Sequence, residues 1–144
     1  MQPTSVRITN VTIQNFKNVV EGSLSFENTR KDYRASIVGL YGQNGSGKTA
    51  LIDVLELLKS VLCGHTISEK FANFITVDAD AATFLFDFSV KTAEATIPVS
   101  YQFSIRSVID TSTQNIDTVT PVQQRRRICV FNEQLKCPIK GQGK

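Results

Sequence analysis

No stretch of these 144 residues approaches the roughly 18 uncharged apolar residues of a membrane-spanning helix, so no helical membrane span is expected. The opening Met1-Gln2-Pro3-Thr4-Ser5-Val6-Arg7 has no apolar h-region, which argues against secretion and predicts a cytoplasmic protein. Cysteine is scarce: Cys63, Cys129 and Cys137 are odd in number and none stands at CxxC spacing. A disulfide framework and a thiolate metal site are both disfavoured, and free thiols in a reducing compartment are the plainer account. His65 is the one histidine; alone in a loop, it is given no role. Neither sign of charge is in large excess, and a net charge of +3 neither demands nor excludes nucleic acid. No internal repeat is present. An apolar share of 41% with 20% charged residues is ordinary for a globular chain. One domain, 1–144, is expected, large enough to bury about two-thirds of its unfolded surface.

Against that plain background stands Gly42-Gln43-Asn44-Gly45-Ser46-Gly47-Lys48-Thr49, a GxxxxGK(S/T) pattern. The apolar run Ala35 to Tyr41 before it has the length of a buried strand, and Ala50 to Leu62 after it carries apolar residues at helical spacing. Strand, glycine-rich turn and helix is the context that a phosphate-binding loop requires. Successive backbone N–H groups of Asn44 to Thr49 can converge on an anion, and they open a helix whose positive dipole end favours the same anion. The cofactor-binding set is therefore Gly42, Gln43, Asn44, Gly45, Ser46, Gly47, Lys48, Thr49 and Ala50. Lys48 is expected to reach the β- and γ-phosphates, and the Thr49 hydroxyl to ligate a magnesium ion.

Taken in order, Val6 to Phe16 reads as a strand, with Val11 and Ile13 on one face and Ile8, Thr12 and Phe16 on the other. Ser23 to Phe26 alternates like a second strand, with Leu24 and Phe26 facing the core. In the helix, Leu51, Leu55, Leu58 and Leu62 form an apolar stripe that Ile52, Val54 and Val61 widen. Gly64 is its expected C′ stop. Residues 64–80 read as irregular chain anchored by Phe71 and Phe74. Thr83 to Val90 and Val99 to Val108 alternate as strands of an antiparallel hairpin or meander. Asp110 to Pro121 is a polar connection, expected to be mobile. Arg127 to Asn132 makes a last strand, and Lys140 to Lys144 is a polar tail.

Val11-Thr12-Ile13-Gln14-Asn15-Phe16-Lys17-Asn18, about 30 residues ahead of the glycine-rich loop, resembles the N-terminal lobe of RecF/SMC-type ATPases of the ABC-ATPase class. The later strands, Thr83 to Phe88, Tyr101 to Ile105 and Val130 to Leu135, are similar to AAA-type ATP-binding proteins among phage-defence (abortive infection, OLD-like) ATPases. The resemblance implies an α/β P-loop NTPase lobe: a mixed β-sheet around the phosphate-loop helix plus an antiparallel β meander. It implies ATP and Mg2+ as cofactors, adds Lys17 as a basic residue near the nucleotide, and implies a homodimer of the full-length protein. A solvated turn lysine is the competing account of Lys17. No apolar strand ending in Asp-Glu follows the helix, and no Ser-Gly-Gly signature or switch histidine is present. In such ATPases these come from a C-terminal lobe, so the chain reads as an N-terminal fragment that binds ATP and hydrolyses it negligibly by itself.

Two function classes follow. One is an ATP-driven conformational switch in DNA maintenance or phage defence. The other is a nucleic-acid-binding or scaffold module with a structural nucleotide, for which Arg125-Arg126-Arg127, Lys136 and Lys140 are the candidate contacts; a solvated basic edge is the commoner origin of such a run. A P-loop kinase or GTPase stands further off, since there is no Asn-Lys-x-Asp base-reading motif and a β-rich insertion lies where a kinase lid belongs.

Overall fold

The computed structural model describes residues 5–27, 39–43, 45–109 and 126–138. Five strands, β1 (Ser5–Phe16), β2 (Val19–Ser25), β3 (Ala82–Lys91), β4 (Thr96–Ile109) and β5 (Arg126–Lys136), form one sheet in the order β2-β1-β3-β4-β5. All four pairings are antiparallel. The expected mixed sheet with a separate meander is thus corrected: among the described residues no parallel pair exists, and the meander strands continue the sheet that β1 opens. Most of the run expected to enter the phosphate loop as a strand, residues 35–38, lies outside the described residues. Gly39, Leu40 and Tyr41 are in neither strand nor helix.

The hairpin of β3 and β4 matches expectation, with Lys91 opposite Thr96 and four residues between. The Thr92 hydroxyl organises that turn, donating to the Ala95 carbonyl and accepting from the Ala95 N–H. β2 begins earlier than the alternation suggested, because Lys17-Asn18 is a two-residue turn that pairs Phe16 with Val19. β5 runs past Asn132 to Lys136. Residues 110–125, with Arg125 and the expected mobile connection, lie outside the described residues, as do Lys140 to Lys144.

Two local irregularities decide which side chains of β1 reach the core. Strict alternation would put Ile8 and Phe16 opposite Val11 and Ile13. A register shift between Ile8 and Asn10 moves Ile8 onto the face of Val11, opposite Phe88. Further on, Asn15 has φ 56°, and this left-handed residue brings Phe16 back to the same face, where it is fully buried. Only Thr12 stays on the far side as expected; there Asn10, Thr12 and Ser23 exchange side-chain hydrogen bonds.

Helix α1 (Lys48–Leu62) covers the inner face, burying Ala50, Leu51, Val54, Leu57 and Leu58. The buried stripe is therefore rotated from the expected one: Ile52 is 58% and Leu62 60% exposed, while Leu57 takes the central place. The helix ends as anticipated. Gly64 at φ 66° donates to the Val61 carbonyl, and the next amide, His65, donates to Ser60, a Schellman arrangement. A short 3₁₀ segment, Glu69–Phe74, follows where irregular chain was expected. It inserts Phe71 and Phe74 against Phe16, at 6.3 and 5.8 Å between ring centroids. Phe16 also meets Phe84 edge-on at 5.2 Å, and Phe84, Phe86 and Tyr101 each pack on Phe103. This aromatic cluster joins helix, 3₁₀ segment and three strands, each ring contact adding about 0.5–1.5 kcal/mol beyond its burial.

Candidate functional site

The glycine-rich loop stands at the N-terminal end of α1, beside the β1–β2 hairpin. Gly47 is the N-cap, with φ 87°. That left-handed conformation costs an L-residue about 1–2 kcal/mol, which favours glycine, and a Cβ there would lie 3.1 Å from the Val19 side chain, which would have to give way slightly. The first intrahelical bond runs from the Leu51 N–H to the Gly47 carbonyl at 3.1 Å. The amides of Lys48, Thr49 and Ala50 have no acceptor earlier in the helix and point out of its positive end. Gly47, as N-cap, offers them no side-chain acceptor.

Lys48 folds back over the loop. Its ammonium donates to the carbonyls of Gly42 and Gln43 at 2.6 and 2.7 Å, and to the Ser46 hydroxyl at 3.2 Å. The charge is therefore held over the mouth of the loop, within a side-chain rotation of an anion seated on the helix end. Ser46 closes the turn through its N–H to the Gln43 carbonyl at 3.2 Å. Thr49 is exposed, so its hydroxyl is open to solvent. Ala50 is in the core, leaving only its backbone amide for a ligand. Asn44 lies outside the described residues.

Lys17, in the β1–β2 turn, meets the helix one turn beyond the loop. Its ammonium pairs with the Asp53 carboxylate and lies 4.1 Å from the centroid of the Phe74 ring. Both partners hold the ammonium in place, so Lys17 is an anchored cation rather than a free one. The neighbouring Asn18 donates its side-chain amide to the Gly45 carbonyl, which the sequence reading did not anticipate. An Asn in a two-residue turn was the available signal, but a contact across 27 positions cannot be read from spacing. A cavity of about 600 Å³ opens between hairpin and loop, lined by Val19, Val20, Leu24, Leu40 and Tyr41 on one side and Gly45 to Lys48 on the other. Its size suits a small organic ligand, and its apolar wall beside a polar floor suits a flat ring joined to an anion.

Elsewhere the polar groups are structural. The Tyr101 hydroxyl donates to Glu133 at 2.5 Å. Burial, then the hydrogen bond and charge of Glu133, push the phenol well above the ordinary tyrosine value. Glu133, on β5, is thus engaged in the sheet. Among the described residues no three of His, Cys, Asp and Glu gather as a metal site, and no helix is long and apolar enough to cross a membrane.

A glycine-rich loop at one helix end beside an open cavity is the local arrangement this chain presents, and the family it matches is one of nucleotide-binding, ATPase-type domains. Residues 37–119 match the family described as "AAA domain, putative AbiEii toxin, Type IV TA system", and the chain belongs to that family. No curated protein and no solved structure matches the chain.

Proposed function

We propose that the chain binds ATP with Mg2+ in this loop, as the nucleotide-binding lobe of a larger ATPase. The carrying observation is the Lys48 ammonium held over the glycine-rich loop at the N-terminal end of α1, where both line one cavity. The residues fit a triphosphate. Gly45, Ser46, Gly47, Lys48, Thr49 and Ala50 would offer amides, with Gly42, Gln43 and Asn44 forming the rest of the turn; Lys48 would release its carbonyl partners for phosphate oxygens. Thr49 would hold the metal, whose role is to neutralise phosphate charge. The apolar wall of Val19, Leu24 and Leu40 would take the base. Lys17, held by Asp53, would add positive potential from the side rather than a direct bond.

The full-length protein is, on this reading, a cytoplasmic nucleotide-driven switch in DNA maintenance or phage defence. It would work as a homodimer, with its own C-terminal lobe supplying the groups for hydrolysis. The toxin named in the family description favours defence over repair.

Calorimetric titration with ATP, ADP and GTP, with and without magnesium, tests the reading. The unaltered chain is expected to bind ATP–Mg and to turn it over negligibly, and Lys48→Ala to weaken binding by about 10- to 100-fold through loss of a charged hydrogen-bond donor. No detectable nucleotide binding, or equal affinity in the Lys48→Ala chain, defeats it.

A further inference from the structure

We propose that Asn18 is a positioning residue for the phosphate loop, holding the Gly45 carbonyl outward so that the following amides face the anion. This rests on the nucleotide reading above. Three consecutive residues of the β1–β2 turn touch three successive parts of the loop and helix. Lys17 pairs with Asp53, Asn18 donates to the Gly45 carbonyl, and Val19 packs beneath Gly47.

An anion nest works only if its N–H groups converge while its carbonyls diverge. An inward carbonyl at Gly45 would place a negative dipole end where phosphate charge belongs. Among the described residues, chain neighbours aside, no atom lies within 4 Å of where a Gly45 Cβ would stand, and its φ of 88° is one that glycine leaves freely. The Asn18 hydrogen bond is a restraint applied at the loosest point of the loop.

The turn that presents Asn18 is itself held in an unfavourable shape. Lys17 has φ 54° at the first position of a two-residue hairpin turn, where glycine is the usual occupant. Asn15, two residues earlier, is also left-handed at φ 56°. The surroundings over-determine both: Phe16 between them is fully buried, and the Lys17 N–H donates to the Phe74 carbonyl at 2.5 Å. Backbone held away from its preferred wells concentrates where function needs a set geometry. Here the outcome of that geometry is the Asn18 amide at the Gly45 carbonyl.

The test compares the full chain with Asn18→Ala and Asn18→Asp, the second keeping the shape and removing the donor. Calorimetry with ATP–Mg and with tripolyphosphate, amide hydrogen exchange of the ligand-free chains, and thermal unfolding are read together. Both variants are expected to bind ATP about 5- to 20-fold more weakly. Tripolyphosphate should lose the same factor, because the effect passes through the loop and not through the base. Exchange at Gly45 to Lys48 should accelerate in the absence of ligand, while the unfolding temperature stays near that of the unaltered chain, since Asn18 is exposed. Unchanged ATP affinity in a chain that binds nucleotide overturns this inference alone, as does unaltered exchange at the loop. Wild-type affinity in Asn18→Asp overturns it too, because the donor would then be dispensable. A loss for ATP without a loss for tripolyphosphate would make Asn18 a base or ribose contact and likewise overturn it. Failure of the unaltered chain to bind ATP removes the nucleotide reading and this inference with it.

Discussion

The two ends of α1 live in different physical regimes. Its middle and C-terminal half lie on rings and branched side chains: Phe16, Phe71, Phe84, Phe86 and Phe103 are all nearly or fully buried. Its N-terminal turn meets the phosphate loop, where Gly42, Gln43, Gly45, Ser46 and Thr49 are exposed and contacts are single hydrogen bonds. Dense apolar packing resists local change, whereas a segment held by exposed polar contacts opens at little cost. On the proposed function, the low-stability end is the one that would receive the nucleotide, and the helix ties it to the packed core.

Substitutions divide the two regions, and the largest effect belongs to the core. Phe84→Ala removes the ring between Phe16 at 5.2 Å and Phe103 at 5.3 Å and is expected to cost about 3–5 kcal/mol, read as a lower urea midpoint. In conditions where the variant remains folded, ATP affinity should be retained; a matching collapse of affinity would merge the two regions into one. Gly47→Ala comes next. Strain of about 1–2 kcal/mol, with a Cβ only 3.1 Å from Val19, should weaken ATP binding roughly tenfold while far-ultraviolet circular dichroism keeps its helical signal. Wild-type affinity there would show that the left-handed N-cap is not needed for phosphate.

Thr49→Ala sharpens the metal side of the comparison. Stability should move by less than about 0.5 kcal/mol, because the side chain is exposed, while the gain in ATP affinity on adding magnesium should shrink. An undiminished magnesium effect would remove Thr49 from the metal shell. The smallest effect is expected at Tyr101→Phe, and it is one of pH. Burial first, then Glu133, raises the Tyr101 phenol above its ordinary 10.0. The folded state therefore keeps a proton that the unfolded chain loses. That stability is fully present below the ordinary value and declines as pH rises beyond it. Unfolding free energies between about pH 9 and 11 should fall less steeply for Tyr101→Phe; identical slopes would place the alkaline loss elsewhere.

Much of this was legible beforehand where the signal was local. The helix after the loop, its stop at Gly64 and the β3–β4 hairpin all follow from spacing and turn chemistry. The face of β1 was misread because two local departures, the shift near Asn10 and the left-handed Asn15, each reverse the alternation. Leu62 and Ile52 look like core on a helical wheel, and they are exposed because the sheet meets α1 along Val54 and Leu57 instead. At the candidate site, the glycine-rich pattern and Lys48 stand out by residue type, but the engagement of Lys17 by Asp53 and of Gly45 by Asn18 does not.

The amino-acid order alone determined a glycine-rich loop leading directly into a helix, since glycine spacing and helical periodicity act over a few neighbouring residues. Tertiary structure decided that the sheet is antiparallel throughout its described strands and that the β1–β2 turn lies against that loop. Those outcomes depend on which distant surfaces bury one another, a choice made by packing energy summed over the whole core and invisible in any short window of sequence.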